Sequence, residues 1–304
     1  VRAIDRVKLT LKYGASTIAA LLGMGAISAA QTVAENVAPS APTDVLLSQS
    51  PGAVFQGVTA FSDFSFTAQK DTRPGVFAKD SVYQPTFGVE AAVSPVVSVL
   101  GGITYTHIDR ITRLPVGTYV SNGATGFIGA TFVLPQNWLF QVSGGYGKSY
   151  VDQSRITDGV LAFSRFDQSS RFASATLLGA YYFDDLLVRP FAQALYADTR
   201  YEAYTETNGA FNRSFLDTIG RISLGGEVSY PFLFGDVLVA PVVRAAFVYD
   251  PNRALGYRDR TATDLQGGFN VLAGRLTGGV RYFTTLGRDD YFAQGGRIFI
   301  SYQF

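Results

Sequence analysis

From about Val58 to the end of the chain, hydrophobic and polar residues alternate with a period of two, the signature of β-strands rather than helices. In the first such run Val58, Ala60, Phe64 and Phe66 share one face, and Thr59, Asp63, Ser65, Thr67 and Gln69 share the other. In the second, Phe87, Val89, Ala91 and Val93 oppose Thr86, Gly88 and Glu90. Further on, Ile222, Leu224, Val228 and Tyr230 oppose Arg221, Ser223, Gly225, Glu227 and Ser229. About a dozen runs of this kind fill the remaining chain. Two arrangements fit one apolar and one polar face per strand. A soluble sandwich buries the apolar face, and a membrane barrel turns it to lipid and the polar face to an aqueous lumen, because lipid cannot hydrogen-bond to charge.

The connections favour the barrel. Ser94-Pro95, Pro135-Gln136-Asn137, Asp184-Asp185 and Phe234-Gly235-Asp236 read as tight turns. Between them the polar stretches 71–82, 109–122, 152–170, 204–214 and 251–264 read as longer loops. Short turns on one side and long loops on the other are the pattern of outer-membrane barrels, which also have even strand numbers. A tight turn at Gly274-Arg275 keeps the count even. It separates a strand over 265–273 from one over 276–286, leaves 287–294 as a loop and 295–304 as the last strand. The expected fold is an all-β, antiparallel, up-and-down transmembrane barrel of twelve strands, with ten as the alternative count.

Composition agrees. Charged residues are only 16% of the 304, while Phe (24), Tyr (17) and Gly (32) are abundant. After the first 30 residues no apolar run approaches the roughly 18–20 residues of a membrane helix. A net charge of +1 carries no basic field for nucleic acid. With no Cys, disulfide scaffolds and thiolate metal sites are excluded, and a single His excludes sites built on paired histidines. We expect no metal and no cofactor. At the N-terminus Arg2, Arg6, Lys8 and Lys12 precede an apolar run from Ala15 to Ile27 and then Ser28, Ala29 and Ala30. That order is expected of a secretory signal peptide over 1–30, too short in its apolar part to span a membrane. Residues 31–57 carry Pro39, Pro42 and Pro51, which rule out one continuous helix. They are expected to form a linker, perched at or inside the lumen of a barrel over 58–304.

The last strand has the clearest local signal. Ile298, Ile300, Tyr302 and Phe304 alternate with Arg297, Phe299, Ser301 and Gln303, so an apolar face ends in a terminal aromatic. Such an ending is similar to the signal read by the barrel-assembly machinery, the expected partner in biogenesis. Four stretches then carry a wider resemblance: GVEAAVSPVVSVLGGITYTH (88–107), GFIGATFVLPQNWLFQVSGGYGKSY (126–150), RPFAQALYADTRYEAYTE (189–206) and LGRDDYFAQGGRIFISYQF (286–304). In order and spacing they resemble the autotransporter β-domain, the translocator of type V secretion in Gram-negative bacteria. The resemblance implies a twelve-stranded outer-membrane barrel whose pore carries an N-terminal passenger, with a helix in that pore. Only residues 31–57 lie between the expected signal peptide and Val58, so no passenger is expected within this chain.

Alternation aims eight charges inward: Asp63, Glu90, Arg189, Arg221, Glu227, Arg244, Arg281 and Arg297. Five Arg against three carboxylates can pair across the lumen and close it, or set ion selectivity with an anion bias if it is open. They can equally be a structural network that lets a polar interior pack. His107, beside Asp109 and on the face of Tyr105, invites a general-base reading. An aromatic interface belt with Tyr105, Tyr146, Tyr150 and Tyr249 is the plainer one. Asp289-Asp290 is a cation contact or a loop tip. The pairs Gly144-Gly145 and Gly278-Gly279 precede no helix, so they do not cradle phosphate. The expectation is a non-enzymatic surface or pore protein, monomeric in outer-membrane lipid. A small-solute porin is one alternative. The other is an adhesin acting through loop 152–170 with Arg155, Arg165 and Phe166.

Overall fold

The computed structural model describes residues 57–72, 77–113, 116–157, 159–252, 259–289 and 291–304. The expected signal peptide and the linker up to residue 56 lie outside the described residues, as does Asp290. Twelve long strands form the wall: β1 (Val58–Asp71), β2 (Ala78–Ser94), β3 (Val97–Arg113), β4 (Val116–Leu134), β5 (Trp138–Thr157), β6 (Val160–Gly179), β7 (Leu186–Tyr201), β8 (Phe215–Ser229), β9 (Val237–Asn252), β10 (Thr261–Ala273), β11 (Leu276–Leu286) and β12 (Tyr291–Gln303). Each pairs antiparallel with its chain neighbours, β7 with β8 included. The sheet closes where β1 pairs with β12, from Thr59 opposite Gln303 to Asp71 opposite Tyr291. Closure leaves no unpaired edge, the condition for a sheet in lipid.

The expected turn at Gly274-Arg275 is present, with Gly274 at φ +61. Asp184 and Gly235 also take positive φ in their turns. Alternation holds along the wall: Phe64, Phe87, Val89, Ile128, Val243, Phe269 and Ile298 are exposed outward, between buried polar neighbours. Outward aromatics gather near both rims. Trp138 meets Tyr181 edge-on at 6.2 Å, and Tyr302 meets Phe304 at 5.1 Å, on the short-turn side. Tyr105, Tyr146 and Tyr150 lie toward the other rim. These are the aromatic girdles of a membrane barrel.

Inward Phe side chains face glycines directly across the ladder. The rings of Phe61, Phe127, Phe172, Phe191, Phe299 and Phe283 stand over Gly88, Gly102, Gly145, Gly225, Gly279 and Gly295. A Cβ at any of these glycines would collide with the ring. The strand glycines therefore let large rings lie flat against the inner wall.

Two expectations about loops are corrected. Residues 109–122 and 152–170 are mostly strand. β3 runs on to Arg113 and β4 begins at Val116, and β5 runs on to Thr157 and β6 begins at Val160. At 17 to 20 residues, β2–β6 far exceed the roughly 9–11 needed to cross a bilayer. Their outer ends stand clear of lipid. There the pattern inverts. Val82, Ile108, Tyr119, Val151, Phe166 and Tyr201 form an apolar core on the inner face. Asp109, Asp152, Arg165 and Asp167 face outward. An apolar inside with a polar outside is the arrangement of a sheet in water, and a search for apolar outward faces reads it as loop. Arg155 and Phe166, expected on a flexible surface, are wall residues. β12 starts at Tyr291, β10 at Thr261 and β2 at Ala78, each a few residues earlier than alternation alone placed them.

Candidate functional site

All eight charges picked out by alternation face inward and are buried, from 1% exposure at Arg189 to 7% at Arg244. The structure divides them into four groups. The largest centres on Glu227 of β8. Register places Arg189 of β7 and Arg244 of β9 directly opposite it on either side. Arg189 approaches Glu227 to 3.5 Å. Arg281 comes from β11, which is not a neighbour of β8, and reaches Glu227 at 3.9 Å. That contact crosses the lumen. Arg244 lays its guanidinium over the Phe191 ring at 3.7 Å, a cation–π contact.

The second group lies at the closing seam, where Arg297 of β12 forms an ion pair with Asp63 of β1. Arg281 sits opposite Arg297 in the ladder. Two like charges directly opposite are unfavourable, and the acids Glu227 and Asp63 on either side offset them. The third group is Glu90 near the short-turn rim, accepting a hydrogen bond from the Ser98 hydroxyl at 2.5 Å. The fourth lies near the other rim. Arg221 bonds Asp250 through Nε at 2.9 Å and through a terminal nitrogen at 3.3 Å. Arg288 reaches the same carboxylate at 2.5 Å.

Asp250 and Arg288 were not anticipated: Arg288 falls in the stretch 287–294 read as loop, and Asp250 directly precedes the one read at 251–264. The bidentate Arg110–Asp80 pair at 2.7 Å and the Arg155–Glu206 pair at 2.5 Å were missed for the same reason. Charge is unevenly spread around the wall. β1 and β2 bury Asp63, Asp71, Asp80 and Glu90, while β7–β12 bury Arg189, Arg221, Arg244, Arg281 and Arg297 against Glu227, Asp250 and Asp264. An apolar cluster of Phe61, Leu100, Phe127, Phe172, Leu195 and Phe299 fills the inner face between them.

The connection between β7 and β8 folds over the outer core. A short hairpin pairs Tyr204-Thr205 with Phe211-Asn212. Tyr204 stacks on Phe166 at 4.2 Å, and burial pushes its phenol pKa up. Thr207 and Phe163 exchange backbone contacts, with Thr207 N donating to Phe163 O at 2.9 Å. His107 belongs to the outward belt. Its ring lies 5.8 Å from Tyr83, Nδ1 is 2.7 Å from the Asn122 amide oxygen, and Nε2 is 3.1 Å from Asp109. Among the described residues no hydroxyl lies within hydrogen-bond reach of it. No cluster of His, Cys, Asp and Glu fit to hold a metal occurs among them either.

Ile298, Ile300, Tyr302 and Phe304 all face outward, from 43% exposed at Tyr302 to 67% at Phe304. The Phe304 amide donates to Val58 O at 2.9 Å, and the Gln303 amide to Arg275 O at 3.1 Å. The terminal residues thus tie both neighbouring strands into the seam.

A closed twelve-stranded wall, apolar outside and charged inside, with both ends beside the short turns, defines a transmembrane β-barrel of the outer-membrane type. The autotransporter beta-domain family model matches residues 59–303, and the chain belongs to that family. Its barrel therefore resides in the Gram-negative outer membrane, short turns toward the periplasm. Among solved structures it is similar to the translocator domain of the autotransporter NalP from Neisseria meningitidis. That match has 15% identity and a TM-score of 0.69, and covers 82% of this chain and 89% of that one. The beta domain of the Bordetella autotransporter BrkA matches at 15% identity and a TM-score of 0.68, covering 82% and 100%. The transport unit of AIDA-I from Escherichia coli matches at 13% and 0.54, covering 82% and 91%. No curated protein matches in sequence.

Proposed function

We propose that this barrel is a translocator-type pore held shut at rest by its own inner charges, with no catalytic role. The observation that carries the reading is the contact between Arg281 and Glu227, from strands that are not neighbours. A side-chain bridge across the lumen narrows it to a passage that only displacement of the bridge widens. Gly57 sits at the periplasmic rim, where the Ala92 amide donates to its carbonyl at 3.0 Å. A polypeptide connected there is positioned to occupy the lumen, in keeping with similar barrels named a translocator domain and a transport unit.

The test is single-channel recording of the full chain in planar bilayers. Wild-type barrels are expected to conduct weakly, and Arg281→Gln to raise conductance several-fold with a reversal potential shifted toward cations. A large, stable wild-type conductance that Arg281→Gln leaves unchanged would overturn the reading in favour of a small-solute porin. The barrel-assembly machinery remains the partner we propose for biogenesis, acting on the outward apolar face of β12.

A further inference from the structure

The outer wall carries charge where a lipid-facing surface ordinarily carries none. Register places Lys148 of β5 opposite Ser169 of β6, and Ser169 opposite Arg200 of β7. The next row inward along the strands aligns Tyr146, Arg171 and Asp198. Lys148, Arg171 and Arg200 are exposed on the outward face. Strands stand about 4.8 Å apart and two residues span roughly 7 Å. Three cations therefore lie within about 10 Å of one another around Ser169.

Their charge is only partly answered. Asp198, 5% exposed, accepts from Arg171 Nε at 2.6 Å, yet 67% of the Arg171 side chain stays exposed. Among the described residues neither Lys148 nor Arg200 has an ion-pair partner. Asp167 and Glu202 stand one row farther out, beside each other through the Glu202 amide and Asp167 O at 3.0 Å, so the positive charge is confined to one height. That height is set by Tyr146, Tyr150 and Tyr196, exposed on the same face at 55%, 66% and 46%. It is the girdle where lipid headgroups meet tails. A groove of about 460 Å³ opens there, lined by Tyr146, Ser169, Arg171, Asp198, Arg200 and Phe215. Toward the membrane centre the outward rows of β6 and β7 are Ala173 with Tyr196, Ala175 with Ala194, and Leu177 with Ala192, so that a narrow strip of alanines runs beside Tyr196 beneath the groove.

We propose that this groove binds the phosphorylated headgroup of an outer-leaflet glycolipid, the lipid A portion of lipopolysaccharide. Its phosphate bridges Lys148, Arg171 and Arg200 while an acyl chain lies along the alanine strip. Guanidinium groups match phosphate oxygens bidentately, and an ammonium adds a point charge. The outer leaflet of this membrane presents phosphate at the height of the girdle. The proposal rests on the outer-membrane location and is independent of whether the lumen conducts.

The test is native mass spectrometry of the full, detergent-solubilised chain with bisphosphorylated lipid A. The wild type is expected to retain lipid A at least tenfold more tightly than chemically dephosphorylated lipid A, with inorganic phosphate at millimolar levels failing to compete. The triple variant Lys148→Gln/Arg171→Gln/Arg200→Gln is expected to lose tenfold or more, with its unboiled electrophoretic mobility unchanged. A variant at the other outward basic pair, Lys70→Gln/Lys79→Gln, is expected to bind as the wild type does. Equal retention of dephosphorylated lipid A, full competition by inorganic phosphate, or undiminished binding by a folded triple variant would each overturn the proposal. The first two readouts use only the wild type and decide the matter if the triple variant does not fold.

Discussion

Glu227→Gln removes one negative charge and almost no volume from the centre of the lumen. Its carboxylate faces Arg189 at 3.5 Å and Arg281 at 3.9 Å, and all three side chains are at most 3% exposed. At an effective dielectric of about 20, each contact is worth roughly 4–5 kcal/mol of gross attraction. Desolvation cancels much of that sum, so the pair as a whole adds little net stability. Removing only the acid is different, because two guanidinium groups then stay buried opposite an amide, with Arg244 in the same row. Breaking a buried ion pair in this way costs about 3–5 kcal/mol. The change is measurable by urea unfolding from lipid vesicles, followed by the fluorescence of Trp138, the single tryptophan. Adding Arg189→Gln to Glu227→Gln is expected to return part of the loss, giving a coupling energy above about 1 kcal/mol. A loss under about 1 kcal/mol for Glu227→Gln alone would refute this account of the lumen as a place where charge must be paired.

Four further outcomes are expected. Gly145→Leu drives a side chain into the Phe172 ring and is expected to abolish the heat-modifiable folded band on gels. Phe172→Ala, which keeps the fold but empties the inner wall, costs about 3–5 kcal/mol. Deleting Phe304 removes an outward aromatic and a seam hydrogen bond to Val58, and is expected to cut the amount of barrel in outer-membrane fractions several-fold. Purified protein refolded in detergent should be less affected. Tyr204→Ala together with Arg155→Met frees the connection between β7 and β8 from Phe166 and from the Arg155–Glu206 ion pair, and should make surface protease cleave within 202–214 while the barrel stays intact.

The inward direction of Asp63, Glu90, Arg189, Arg221, Glu227, Arg244, Arg281 and Arg297 was legible in the sequence because it needs only the parity of a residue within its strand. Their partners were not. Arg281 and Glu227 meet across a closed wall, and Asp63 meets Arg297 from the far end of the chain. Such meetings depend on the curvature and stagger of the whole barrel, which no single strand encodes. The loops at 109–122 and 152–170 were misread for another reason. Ile108, Val151 and Phe166 sit above the membrane, where water replaces lipid outside and the polar face changes side. A rule tuned to lipid fails there, and with it went Arg110 and Arg155. The outward cluster of Lys148, Arg171 and Arg200 escaped notice because it spans three strands, and only register brings it together.

The six facing Phe–Gly pairs have a consequence for how such a wall is put together. Strands that slide by two residues keep every lipid-facing and lumen-facing side chain on its proper side, so hydropathy cannot detect the error. The rings can. A slip of two against Phe61 would put Thr86 or Glu90 where Gly88 belongs, and against Phe299 it would put Thr277 or Arg281 where Gly279 belongs. Each ring then meets a side chain in place of a bare Cα. The pairs thus act as keyed notches between adjoining staves. They let assembly reject a misaligned hairpin before the last seam is drawn shut.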